Sequence, residues 1–157
     1  MKLDKQTRKF LLENNGSLAT AESCTGGLLA HIITNSAGSS SYFAYGYVTY
    51  SDEAKIKELK IPKEIIEKYT SYSKEVAELM ADSARMKANS TFGIAITGIA
   101  PPGDPDSSLP IGTVFVGISS ANNVTHFEFQ VNNHFRTWFK KKTVKHALKA
   151  FCKYLQE

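Results

Sequence analysis

The feature that most constrains this chain is a short apolar run, Ser17 to Thr20, that meets Ala21-Glu22-Ser23-Cys24-Thr25-Gly26-Gly27 and continues into apolar residues at helical spacing. A strand that enters a Gly-rich turn and leaves as a helix is the building unit of α/β folds. The first N–H groups of a helix have no partner inside it, so unpaired donors are expected beside Ser23, a place for an anion or an oxyanion. A second stretch, Gly46-Tyr47-Val48-Thr49-Tyr50-Ser51-Asp52-Glu53-Ala54-Lys55, ends a strand on Tyr50 and starts a helix at Ser51. Ser51 is a good N-cap residue, and Asp52 and Glu53 suit the positive end of the helix dipole. Lys55 falls in that same first turn, where the dipole disfavours its ammonium form and partial burial would lower its pKa further. A neutral lysine amine is a competent general base for a serine hydroxyl.

The rest of the chain fits around these two units. Leu3 to Asn14 reads as a helix stopped by Asn14-Asn15-Gly16, and Thr25 to Thr34 as the helix that follows the first turn. Tyr42 to Tyr50 alternates aromatic and small residues and reads as a strand. Asp52 to Leu59 and Lys63 to Tyr69 are short helices parted by Pro62, and Ser73 caps a longer one, Lys74 to Lys87. Phe92 to Thr97 and Thr113 to Ser119 read as buried strands. Val124 to Val131 alternates and joins the preceding strand through a hairpin at Ala121-Asn122-Asn123. Phe135 to Leu155 is a terminal helix. Strands separated by helices, then a closing hairpin, give an α/β domain with a mixed sheet between helix layers.

Length and composition narrow the function classes. With 157 residues the chain is read as a single domain, 1–157, large enough to bury a core without metal or disulfide staples. No apolar run approaches the roughly 20 residues of a membrane span, and Met1-Lys2-Leu3-Asp4-Lys5 lacks the apolar core of a signal peptide, so a cytoplasmic protein is expected. Two cysteines far apart make neither a disulfide framework nor a zinc spacing. The net charge of +4 is uneven: residues 134–157 hold +6 and the remainder −2. Lys141, Lys145, Lys149 and Lys153 recur every fourth residue, the pattern of a solvated helix face, so no specific nucleic-acid partner is expected.

Each candidate residue also has an ordinary reading. Ser23 is either a nucleophile or a turn serine, and Cys24 is the rival nucleophile. As the neighbour of Ser23, Cys24 is expected to turn to the opposite side and pack as a small hydrophobe. Glu22 reads better as a structural hydrogen-bonding group than as a partner for a base. Tyr50 either packs or, close to Ser23 and Lys55, relays a proton or holds the leaving amide. Thr97, beside Gly98, binds ligand or caps the chain; Arg136 clamps a phosphate or pairs with a surface carboxylate. His126, His134 and His146 have no metal spacing. The loop Gly98 to Ile111 holds four of the five prolines and leaves the C-terminal end of a strand, so it is expected beside Ser23 and Lys55.

Ala21-Glu22-Ser23-Cys24-Thr25-Gly26-Gly27-Leu28, Gly38-Ser39-Ser40, Gly46 with Val48-Thr49-Tyr50-Ser51, Glu53-Ala54-Lys55, Thr97-Gly98-Ile99-Ala100 and Pro110-Ile111-Gly112-Thr113-Val114 together resemble the CinA C-terminal domain family, in order and over nearly the whole chain. The resemblance implies a three-layer α/β/α sandwich with a mixed five-stranded sheet. It further implies a homo-oligomeric amidohydrolase that converts nicotinamide mononucleotide to nicotinate mononucleotide and ammonia without a cofactor or metal. On this reading Ser23, Lys55 and Tyr50 carry the chemistry, N–H groups at Thr25, Gly26 or Gly27 hold the oxyanion, and Thr97, Gly98 and Arg136 bind substrate. A non-catalytic nucleotide-binding module of the same family is the alternative.

The sequence also departs from that pattern. Pro101-Pro102-Gly103-Asp104-Pro105-Asp106 stands where the family has Gly-Pro and further glycines, and proline removes any N–H contact made there. Tyr69-Thr70-Ser71-Tyr72-Ser73 replaces a usual His-Gly-Ala-Val-Ser, and Asn132-Asn133-His134-Phe135-Arg136 matches the family's Gly-Asp-Arg loosely. Nothing in the chain corresponds to the N-terminal partner domain frequent in the family.

Overall fold

Alternation along each strand decides which layer a side chain serves. Leu18, Ile94, Ile96, Val114, Val116 and Ile118 belong to one apolar layer, while Ala19, Ala21 and Ala95 belong to the other. The computed structural model describes residues 5–132 and 135–156. Its strands are β1 (Leu18–Glu22), β2 (Phe43–Val48), β3 (Phe92–Gly98), β4 (Thr113–Ser119) and β5 (Val124–Gln130). They form one sheet in the order β2-β1-β3-β4-β5. β1 runs parallel to β2 and β3, and β4 runs antiparallel to β3 and β5, so the sheet is mixed as expected.

Six α-helices cover the described sheet: α1 (Lys5–Glu13), α2 (Leu28–Thr34), α3 (Asp52–Leu59), α4 (Lys63–Tyr69), α5 (Lys74–Ala88) and α6 (Arg136–Tyr154). Leu11, Leu29, Ile33, Phe139, Val144 and Phe151 place α1, α2 and α6 on one face. Leu59, Ile66, Val76, Met80 and Ala84 place α3, α4 and α5 on the other. Full burial of each such aliphatic or aromatic side chain contributes about 1.5–3 kcal/mol. On the α5 side the sheet is built from small residues because the helix backbone touches it. A Cβ added at Gly93 would lie 2.1 Å from Ala81 O, and one at Gly117 would lie 2.1 Å from Ala77 O.

Several boundaries differ from the sequence reading. β1 does not stop at Thr20 but continues through Glu22, pairing with β2 and β3 to its end. The following helix starts at Leu28 rather than Thr25, because Gly26 and Gly27 take φ of 61° and 92°, left-handed values that interrupt a right-handed helix. β2 ends at Val48, two residues short of Tyr50. Leu3 and Asp4, at the expected start of the first helix, lie outside the described residues, as does His134. Among the described residues no helix is long and apolar enough to cross a membrane. Lys141, Lys145, Lys149 and Lys153 are all exposed along α6.

The topology positions the site. In the parallel pairs Glu22 sits opposite Val48 on one side and Ile96 on the other, so β1, β2 and β3 deliver Ser23, Tyr50 and Gly98 to the same edge of the sheet. The crevice beyond the carboxyl ends of parallel strands is the usual ligand position in such sheets.

Candidate active site

Glu22 shapes the turn after β1. Its side chain is buried, and its carboxylate accepts from Thr25 Oγ1 at 2.6 Å and from the N–H groups of Gly27 at 3.2 Å, Leu29 at 2.9 Å and Ala30 at 2.8 Å. The free N–H groups at the start of α2 are therefore satisfied by the chain's own carboxylate, which also suits the positive end of the helix. This confirms a structural hydrogen-bonding role for Glu22 and corrects the expectation of an open anion site there. Gly26 N donates to Ser23 O at 3.0 Å, so the Gly26 and Gly27 donors are both committed. The Cys24 N–H is turned to its own sulfur, and among the described residues the Thr25 N–H has no backbone acceptor, so Thr25 is the donor left to face an oxyanion.

Ser23 is held by its own backbone, its N–H donating to Ile96 O at 2.9 Å, and is 5% exposed. It opens onto a cleft of about 120 Å³ that Tyr50, Tyr72, Gly98, Asp104 and Arg136 also line. Cys24 is buried in the apolar layer but also lines this cleft, against the expectation that it turns to the opposite side from Ser23, and desolvation pushes its thiol up to about 12. A thiol in that state has almost no thiolate near neutral pH, which disfavours it as a nucleophile.

Lys55 is 1% exposed, far more buried than a helix lysine on an open face. Burial holds its pKa below the ordinary lysine value, against the opposing pull of Asp52. The Nζ lies 3.3 Å from Asp52 Oδ1, Cys24 is close enough to act on it electrostatically, and Lys55 is not among the residues that line the Ser23 cleft. Among the described residues the hydrogen bond that Nζ makes goes to Asp52 and not to Ser23. Ser71 Oγ also donates to Asp52 Oδ1, and Thr97 Oγ1 donates to Ser71 O at 2.6 Å. Thr97 is fully buried and committed to that carbonyl, so it fixes the segment before α5 and does not reach the cleft, a correction of the substrate-binding reading.

Arg136, at the first position of α6, donates through Nη1 to Pro101 O at 2.7 Å and through Nη2 to the Tyr50 hydroxyl. Tyr50 thus lines the cleft with its hydroxyl on Arg136 rather than on Ser23 or Lys55. Arg136 is shared with a second, wider cleft of about 470 Å³ that Thr25, Gly26, Gly27, His31 and Lys140 border. Lys140 leans over the Gly-Gly turn: a Cβ added at Gly26 would come within 3.1 Å of its Nζ. His126 pairs with Glu78 at 2.8 Å, and His146 stacks on Phe129. Among the described residues no cluster of His, Cys, Asp and Glu has the makings of a metal site.

Five contributors escaped sequence reasoning: Asp52, Ser71, Tyr72, Asp104 and Lys140. Asp52 and Lys55 are three apart on one helix, a spacing that makes neighbours, and Lys140 follows Arg136 by one turn. Those two were findable. Ser71, Tyr72 and Asp104 arrive from loops whose path no periodicity announces.

A profile of the CinA C-terminal domain matches residues 1–155. This chain belongs to the CinA C-terminal domain family. It is 40% identical over 147 residues to a CinA-like protein of Acaryochloris marina, covering 93% of this chain and 35% of that protein. It is 46% identical over 116 residues to a putative competence-damage inducible protein of Clostridium botulinum, covering 74% of this chain and 28% of that one. The chain thus spans about a third of the length of these relatives. The crystal structure of the competence/damage inducible protein CihA from Agrobacterium tumefaciens superposes with a TM-score of 0.90 at 33% identity, over 95% of this chain and 91% of that one. A CinA superfamily protein of Escherichia coli gives a TM-score of 0.89 at 29% identity, over 95% and 86%. The CinA fold, with its five-stranded mixed sheet packed against helices, is therefore this chain's fold.

Proposed function

We propose that this CinA-family domain hydrolyses the carboxamide of nicotinamide mononucleotide, releasing ammonia and nicotinate mononucleotide, with Ser23 as nucleophile and Lys55 as base. The observation that carries the reading is Lys55 itself: a lysine with 1% exposure and a depressed pKa, within electrostatic reach of Cys24, the neighbour of a serine that opens onto a cleft. Burying such a group without a use for it costs stability. In the proposed reaction the neutral Lys55 amine turns from Asp52 and takes the Ser23 hydroxyl proton as Oγ attacks the carboxamide carbon. The N–H group of Thr25 stabilises the oxyanion. The C–N bond then breaks, Lys55 returns the proton to the departing nitrogen, and ammonia leaves an ester on Ser23. Water, deprotonated by the same amine, cleaves that ester to release the acid. Arg136 holds Tyr50 in the cleft wall and takes the anionic part of the substrate, with Lys140 extending the positive surface over the wider cleft.

The test is ammonia release from nicotinamide mononucleotide by purified protein after exhaustive chelation, since the steps above use only the chain's own groups and water. No turnover, or turnover only with added metal, defeats the reading. A second reading, a nucleotide-binding module without chemistry, draws on the Lys55–Asp52 bond, which turns the amine from Ser23, and on the prolines of the 98–111 loop. Tight nucleotide binding with no product selects it.

A further inference from the structure

The Ser23 cleft carries charge of both signs. Arg136 and Asp104 both line it, and among the described residues they make no ion pair with each other. Arg136 spends its guanidinium on Pro101 O and the Tyr50 hydroxyl, both of them neutral groups. Asp104 is set by the backbone of its own loop: its Oδ1 accepts from Asp106 N at 3.0 Å, and its carbonyl accepts from Ser107 N at 3.1 Å. It stands against the Tyr72 phenol, which burial and the Asp104 carboxylate together keep protonated, with a pKa pushed up to about 12. An uncompensated guanidinium and an uncompensated carboxylate in one cleft suit a ligand that carries an anion and a cation at once.

The size of the cleft says which part of such a ligand enters. About 120 Å³ is of the order of the ~150 Å³ cavities that take a benzene ring. One six-membered ring fits, and the remainder extends into the wider cleft that shares Arg136. The phenols of Tyr50 and Tyr72 line the smaller space. A phenol face attracts a cation, and a carboxylate beside it adds to that attraction.

From this we infer that Asp104 and Tyr72 read the positive charge of the substrate ring, selecting N-substituted pyridinium carboxamides over uncharged amides. The inference rests on the deamidase reading for the position of the carboxamide at Ser23, but the charge preference can be measured without turnover. The probes are nicotinamide mononucleotide and its 1,4-dihydro form, which keeps the carboxamide and phosphate on an uncharged ring. Both are titrated calorimetrically into Ser23→Ala protein and into the same protein carrying Asp104→Asn, which preserves the loop's acceptor for Asp106 N. The Ser23→Ala protein is expected to bind the cationic form about tenfold more tightly, and Asp104→Asn to erase that preference while leaving the dihydro form unchanged. Tyr72→Phe, which keeps the ring, is expected to retain most of the preference, whereas Tyr72→Leu loses part of it. Equal binding of the two forms, no binding of either, or a preference that survives Asp104→Asn overturns the inference. A preference that is present while wild-type protein releases no ammonia defeats the deamidase reading and leaves charge recognition standing.

Discussion

Lys55 Nζ lies 3.3 Å from Asp52 Oδ1, one helical turn back on α3, with the lysine buried and the aspartate 55% exposed. The two groups pull the lysine in opposite directions: burial favours the neutral amine and Asp52 favours the ammonium. Burial prevails, and solvent at Asp52 weakens the opposing pull. Asp52 also holds Ser71, so the pair is tied to the segment that leads into α5.

Replacing Asp52 by Asn removes the charge and keeps an acceptor for Ser71. The pKa of Lys55 should then fall further, and the limb of the pH–rate profile that rises with base deprotonation should move to lower pH. A limb that stays in place in Asp52→Asn would mean that Lys55 is not the group titrating in the reaction.

Lys55→Met should abolish turnover and yet raise stability near neutral pH, on the order of 1 kcal/mol, because a buried charge is exchanged for an apolar side chain of similar length. The sign with pH follows from linkage. Below its folded pKa, Lys55 is protonated in both states and its burial penalty is fully felt. Between the lowered folded value and the unfolded value near ~10.4, the unfolded chain binds more protons, so wild-type stability rises with pH relative to Lys55→Met. Denaturant titrations of both proteins from pH 7 to 10 check this, and a constant gap contradicts it. Lys55→Arg should be inactive as well, since a guanidinium keeps its proton.

Glu22→Gln tests the turn. The amide would offer a donor where Gly27, Leu29, Ala30 and Thr25 all require an acceptor, leaving at least one buried N–H unpaired. A loss of about 1–3 kcal/mol in chemical denaturation is expected, with reduced turnover as the Ser23 turn loosens. Unchanged stability would show that the carboxylate does not hold the start of α2.

The sequence disclosed the five strands and the edge where Ser23, Tyr50 and Gly98 emerge, because apolar alternation and Gly-Gly punctuation are local signals. It misplaced the ends of β1 and α2, where tertiary pairing carried Glu22 into the sheet and two left-handed glycines delayed the helix. The partners of the candidate residues were less visible. Thr97 gave no sign that it would be spent on Ser71 O across 26 residues of sequence, and Gly27 none that its donor belonged to Glu22. Such contacts depend on how loops return to the sheet edge, and no period in the chain encodes that.

The most direct measurement is ammonia release from nicotinamide mononucleotide by wild-type, Ser23→Ala and Cys24→Ala proteins, each shown by circular dichroism to be folded. The nucleophile assignment predicts turnover in wild-type, its loss by at least a thousandfold in Ser23→Ala, and most of it retained in Cys24→Ala, whose thiol is buried and held near 12. Activity that survives Ser23→Ala but vanishes in Cys24→Ala would contradict the account.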